Sequence, residues 1–432
     1  MFSTVLDLKE NFNMKNKLIK IFIRVYLVLM FTMLIAWSVW HVMYNGKLFP
    51  ESISKGIITF ASLPSNIYHT LNPTSAPYNI FDRRQITDNS SKDGATLFSD
   101  TNNFASNLYL ISTFKTANQV EIKLMNLPKG NLFKTWRLDQ DERIKKFYDP
   151  TSITRPYHPL MLKDSSLVLN LEFEFGLICI DKSNQMKWID TNFWFHHSIE
   201  LENDSTIWTS SRLKDLNIYK TKGFINDAIC SIDPRNGKIK FNKSVADILV
   251  ENGYEYLLNL GYEDDGIHLN DVQPAIYSSN YWQKGDLLLS LRHKNTIALY
   301  RPSTNKIIWL RSGPWIAQHD CDFVDGKIIM VFGNDIIRQK TDTLINGHND
   351  IYFYDFEKNE ISKPYTKVMK QLGIKTKTQG RCDLLKNGDL FIDESENGKL
   401  YILNKDSVKM IYTERYDKNH IKMFNWVRPI LN

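Results

Sequence analysis

Four histidines and one arginine recur at matching places in segments that otherwise share a strand pattern. The segments are HPLMLKDSSLVLN from His158, HSIELENDSTIWT from His197, HDCDFVDGKIIMV from His319 and RCDLLKNGDLFID from Arg381. A fifth opens as HLNDVQPA at His268 and, after an insertion, resumes as KGDLLLSLR, which ends at Arg292. One histidine at a strand start is ordinarily structural or solvated, and a repeat ancestor fixing it for packing would explain several. The competing reading is chemical. Imidazoles and a guanidinium gathered at one narrow mouth would hold a small oxyanion through charge-assisted hydrogen bonds. Asn270, two residues after His268, adds an amide. Three histidines can also hold zinc, but there is no H-x-H pair or HExxH helix, and Arg292 would repel a cation. No metal and no cofactor are therefore expected. Asp320 and Asp322 are expected to face away along their strand.

These residues need elements to position them. Six residues after each starting residue of the four gapless segments comes an Asx: Asp164, Asn203, Asp325 and Asn387. Asx tolerates the left-handed conformation of a tight hairpin. Matching tails follow as DKSNQMKW, DPRNGKIKF, RPSTNKIIW and LNKDSVKMIY, and a weaker first copy spans 105–140. Repeats of four short strands, about 35–60 residues long, mean a β-propeller. Six copies predict an all-β, six-bladed β-propeller behind an N-terminal transmembrane helix. In such a fold the first strand of each blade is innermost, so the five starting residues ring one mouth of the channel. Arg292 and Glu394, which close the second strands, should point to that same mouth. VADILVENGYEYLLNL (245–260) is the one stretch expected to insert as helix.

Ahead of the repeats, Lys15, Lys17, Lys20 and Arg24 precede the apolar run VYLVLMFTMLIAWSVWHVM (25–43), with Trp37 and Trp40 suited to an interface. Positive charge before the run predicts a cytoplasmic N-terminus and an exported remainder. The absence of a small-x-small cleavage site favours an uncleaved signal anchor. The expected divisions are a cytoplasmic tail (1–24), an anchor (25–45), a linker (46–104) and the propeller (105–432). That places the protein in the inner membrane as a single-pass chain, its propeller in the periplasm or outside the cell. The 432 residues carry a formal net charge of +6 without a basic stripe, so no nucleic-acid partner is expected. Cys179, Cys230, Cys321 and Cys382 form no CxxC and read as buried free thiols.

At HHSIE, HLNDVQPA, GDLLLSLR and QHDCDF the chain resembles the bacterial arylsulfotransferases (aryl-sulfate sulfotransferases), over most of residues 105–428. That resemblance implies an exported six-bladed propeller. It also implies transfer of a sulfuryl group from an aryl sulfate ester to a phenolic acceptor, with no nucleotide sulfate donor. A histidine is transiently sulfated. By motif, His319 would be that nucleophile, His197, His268 and Arg292 would hold the sulfate oxygens, and Asn270 would support them. His158 and Arg381 are further residues of the mouth. The N-terminal β-rich domain through which some members dimerise is not evident in residues 46–100, which leaves a homo-oligomer open. The main rival function is a membrane-anchored propeller that binds a protein or an anionic glycan without catalysis. A quinone-dependent dehydrogenase is a weaker rival, because the chain lacks an eight-fold set of tryptophan motifs.

Overall fold

A computed structural model describes residues 21–38, 84–85, 92–98, 108–116, 119–145, 156–171, 176–213, 224–259, 265–337, 343–417, 420–422 and 424–430. The chain divides into two compact units, Met1–Pro77 and Tyr78–Asn432. In the first, Ile21–Ser38 is a helix of mean hydropathy 2.0 with outward-facing apolar side chains, a candidate membrane span by length and composition. The expected span continued to residue 45. Residues 39–45, including Trp40, lie outside the described residues.

The second unit is an all-β propeller. Its sheets follow one another along the chain. Sheet I holds Leu108–Thr116, Gln119–Leu127 and Asn131–Arg137. Sheet II runs from Pro156–Met161 to Met186–Asp190, and sheet III from Trp194–Asn203 to Ile239–Ser244. Sheet IV runs from Leu269–Pro274 to Lys306–Ser312, and sheet V from Cys321–Phe323 to Glu360–Ser362. Sheet VI runs from Arg381–Leu384 to Val408–Thr413. The C-terminal strand Asn425–Ile430 pairs antiparallel with Leu108–Thr116, so chain end and chain start share sheet I. Five of these sheets have four strands. Sheet VI has five, because Gly94–Leu97 from the expected linker pairs with its last strand.

Strand periodicity explains the stacking. Successive side chains point to opposite faces, and here both faces are covered. Leu287 and Leu289 pack against sheet III, while Leu288 between them packs against sheet V. Ile329 and Val331 face sheet IV, and Met330 and Phe332 face sheet VI. The same division repeats between sheets I and II and between II and III. The ring closes where Phe391, Leu400 and Ile402 of sheet VI meet Met125 and Leu127 of sheet I. Each such Leu or Ile, fully buried, contributes about 1.5–3 kcal/mol. Helix Val245–Glu251, capped by the Ser244 hydroxyl, and the 3-10 turn Glu255–Asn259 occupy the stretch expected to be helical.

The hairpin turns depart from expectation in one detail. The Asx side chains act as acceptors: Asp164, Asn203, Asp325 and Asn387 each take the N–H two residues on. In two of these turns the left-handed residue is Ser165 or Gly388. The four cysteines are free and buried, as expected.

Candidate active site

The first strands of the sheets touch one another around the axis, and side chains stitch them together. The Val272 N–H donates to the Ser198 hydroxyl (3.0 Å), the Cys321 N–H to Asp271 Oδ2 (3.0 Å), and the Cys382 N–H to Asp320 Oδ2 (2.9 Å). These bonds put Ser198, Asp271, Asp320 and Arg381 in one row. His197 and His319 then sit one residue before that row, His268 three residues before it, and Arg381 within it. Of the expected equivalence, His197 and His319 keep one register and His158 occupies the same bulge position as His197, whereas His268 and Arg381 depart from it. The departure of His268 goes with a register shift between Leu269 and Asp271, since a β-bulge absorbs an extra residue without shifting the strand that follows. His158 and His197 each lie in a bulge, between Tyr157 and Leu160 and between His196 and Ile199, and Trp426 lies in another between Asn425 and Arg428. All three adopt left-handed backbone (φ 48°, 54° and 53°), and so does His268 (54°). Such conformations are uncommon for residues other than glycine and cluster at functional sites.

The rings converge nonetheless. The His197 ring centroid lies 5.0 Å from that of His268 and 6.3 Å from those of His319 and Trp426. Trp426 packs 4.1 Å from His158 and 5.6 Å from His319. Arg292 is buried, opens a 3-10 turn just past the strand Leu287–Leu291, and lowers the basicity of His319 by its charge.

His319 is the best-defined member. Its Nδ1 lies 2.6 Å from Asn334 Oδ1, and Asn334 donates from Nδ2 to the carbonyls of Thr376 (3.0 Å) and Gln379 (2.7 Å). Those two carbonyls fix the amide orientation, so Oδ1 must accept and His319 Nδ1 must carry the proton. Its Nε2 is then a lone pair, buried and without a protein partner. Burial first, then Arg292, holds this imidazole well below its usual pKa, so it is neutral. Burial likewise lowers His158 and His197. Both His158 nitrogens are buried without a protein partner. His197 Nδ1 meets His196 Nδ1 at 2.8 Å.

Asn270 donates to the Gln318 carbonyl (2.7 Å) and so braces the peptide before His319. Arg381 lies in a buried ion cluster with Glu200 (3.3 Å) and Asp383 (3.0 Å), and Arg428 also pairs with Glu200 (2.7 Å). Asp320 does not face away as expected. Its carboxylate accepts the Cys382 N–H, and burial pushes both Asp320 and Asp322 up. Glu394 does not reach the mouth either, being occupied by the Lys375 N–H, Asn397 and the Tyr401 hydroxyl.

Sequence reasoning missed Trp426, Asn334, His293 and Asp265. His293 adjoins Arg292, and Asp265 precedes His268 by three, a spacing that carried no signal alone. Asp265, His268 and His293 bring ligand-type atoms within 4.8 Å of one another. Yet His293 Nε2 accepts from Arg292 Nη1 (3.0 Å) and its Nδ1 donates to the Asp265 carbonyl (2.6 Å). With both nitrogens engaged and a guanidinium alongside, this group does not suit a cation.

The fold is that of a β-propeller scaffold with imidazoles gathered at one end of its first strands and the Arg292 guanidinium beside them. The family model described as arylsulfotransferase (ASST) matches residues 158–415, and the chain belongs to that family. No curated protein sequence matches it. Similar solved structures include a Bacteroides caccae protein of unknown function (11% identity, TM-score 0.48, 76% of this chain and 100% of that one). Another is Kuenenia stuttgartiensis hydrazine synthase (11%, 0.42, 68% and 76%). A third is virginiamycin B lyase from Staphylococcus aureus (10%, 0.35, 65% and 85%).

Proposed function

We propose that this chain is an aryl-sulfate sulfotransferase that passes a sulfuryl group from an aryl sulfate to a phenol through a sulfated His319. The observation that carries the reading is the buried, unpartnered Nε2 of His319, held as a lone pair by Asn334. That nitrogen attacks sulfur, an N–S bond forms, and the S–O bond breaks with its electron pair leaving on the phenolate oxygen. The acceptor oxygen then attacks sulfur, and the N–S pair returns to Nε2. Splitting one displacement into two is the gain of a covalent intermediate. His197, His268 and Arg292 hold the sulfuryl oxygens in a site where burial strengthens each charge-assisted hydrogen bond. Asn270 keeps the His319 peptide in place, and His158 lines the same pocket.

In this reading sheet VI counts as a blade despite its added strand, giving six. Residues 25–45 anchor a propeller of residues 105–432, with 1–24 in the cytoplasm, 46–104 as a linker, and the propeller in the periplasm or outside the cell. The test is incubation with a chromogenic aryl sulfate and a phenol. Acceptor-dependent phenol release is expected, with one sulfuryl group found on His319 by peptide mass. His319→Ala should stay folded and lose both. A folded wild-type protein that is inert across a broad donor panel points instead to the binding propeller.

A further inference from the structure

Asp265 touches two residues of the pocket at once. Its Oδ2 lies 2.5 Å from His268 Nδ1, and its carbonyl takes the His293 Nδ1–H at 2.6 Å. His293 Nε2 in turn accepts from Arg292 Nη1. An ionised carboxylate can only accept, so His268 carries its proton on Nδ1 and turns Nε2 elsewhere. The other described imidazoles of the pocket differ. His319 rests on an amide, His197 on another histidine, His293 between a carbonyl and a guanidinium, and His158 has no hydrogen-bonding partner. His196 behind His197 lies 3.4 Å from Asp227 but is buried, whereas His268 has the shorter carboxylate contact and a side chain that is 17% exposed, open to an incoming ring.

We propose that Asp265 makes His268 the proton carrier of the reaction. Asp265 is the positioning residue, and the one free nitrogen of His268 acts on the bridging oxygen of the ester, leaving the outer sulfuryl oxygens to His197 and Arg292. This deepens the transfer reading above and rests on it. In the first half-reaction protonated His268 gives its Nε2 proton to the phenolate oxygen as the S–O bond breaks, and the phenol leaves neutral. In the second, Nε2 takes the proton of the acceptor hydroxyl as its oxygen bonds sulfur and the N–S bond breaks. The proton count closes over the cycle.

Asp265 is the carboxylate that His268 meets among the groups around it. Around His268 stand His196 and His197 of sheet III, His293 and Arg292 of the turn behind it, His319 of sheet V, and Arg212 across from Asp265. Arg212 and Arg292 are the fixed cations among them, Asp227 pairs with Arg212, and Asp265 is the carboxylate bonded to His268. Burial alone would raise Asp265, but the hydrogen bond from His268 and the charges of His268 and Arg212 hold it below the ordinary carboxylate range.

The test is a leaving-group series on the full-length protein. General acid catalysis contributes about 10²–10⁴-fold, and least where the departing phenolate is stable. Asp265→Asn should therefore cost about 10²-fold in kcat with 4-methylphenyl sulfate and under about tenfold with 4-nitrophenyl sulfate. Asp265→Glu should recover part of the loss. If Asp265→Asn does not fold, His268→Gln carries the same comparison. A purely structural role would lower every donor alike, so equal losses across the series overturn the inference while sulfated His319 still forms. If the wild-type protein forms no sulfated His319, the transfer reading fails, and this inference fails with it.

Discussion

Asn334→Ala tests how the nucleophile is held. In the native site Asn334 Oδ1 takes the His319 Nδ1–H at 2.6 Å, and this bond alone selects the tautomer with a free Nε2. A buried hydrogen bond of this kind is worth about 0.5–1.5 kcal/mol net. A difference of about 1.4 kcal/mol is tenfold in a population or a rate, so the reactive tautomer should fall by up to about tenfold. Losing the brace also lets the ring move, and a misplacement of about 1 Å can cost about 10²-fold. The expected result is a 10- to 10²-fold slower phenol burst in a single turnover, with little change in KM, because Arg292 and His268 remain. Stability should fall too. Gln379 loses its donor from Asn334, whereas the Thr376 carbonyl keeps the one from Asn349 (3.0 Å). With the His319 bond, that amounts to about 2–3 kcal/mol, readable as a shift in the urea midpoint. A folded Asn334→Ala protein whose burst rate is within a factor of about three of wild type would refute the tautomer reasoning.

Further outcomes separate site from scaffold. His158→Phe should lower transfer yet raise stability by about 1 kcal/mol, because it replaces two buried nitrogens lacking protein partners with an apolar ring beside Trp426; a melting scan read beside phenol release checks both signs. Arg381→Met should cost about 3–5 kcal/mol, because it strips charge compensation from Glu200 and Asp383; a stable variant with only a raised KM would place Arg381 among the substrate-binding residues instead. Asp271→Asn should change the pH dependence of stability. Burial, then Glu200, pushes Asp271 from 3.8 up to about 7, so the native state binds its proton more tightly than the unfolded chain. Its stabilising contribution is therefore full below about pH 4 and lost as pH rises to about 7. The melting temperature of the amide variant relative to wild type should climb across that window and level off above it, and a flat difference would contradict a neutral Asp271.

The fold was legible because its periodicities are local. An alternating strand such as LLLSL buries every residue, since each blade has a neighbour on both faces. The closing strand was less legible. Asn425–Ile430 pairs with Leu108–Thr116 across nearly the whole chain, and nothing within NWVRPI announces a partner so distant. Trp426 was missed for that reason. Asp265, His293 and Asn334 were missed because they act on other residues of the site through hydrogen bonds between separate turns, which no spacing encodes. Gly94–Leu97, read as linker, was too short to stand out as the edge strand of sheet VI.

The misreading that matters most concerns the histidines themselves. Inheritance from one ancestral repeat would place them at equivalent backbone positions, with equivalent packing. That holds for some of them and fails for His268. His158 and His197 sit in left-handed bulges, His268 lies two residues ahead of the His197 and His319 register, and His319 is absent from the positive-φ residues. Left-handed backbone at a non-glycine residue costs about 1–2 kcal/mol, and three of these histidines bear it. A His268 ring that starts two residues out of register, accepts that strain and still lies 5.0 Å from His197 is poorly accounted for by shared packing. A ligand that several nitrogens must reach together accounts for both the strain and the convergence.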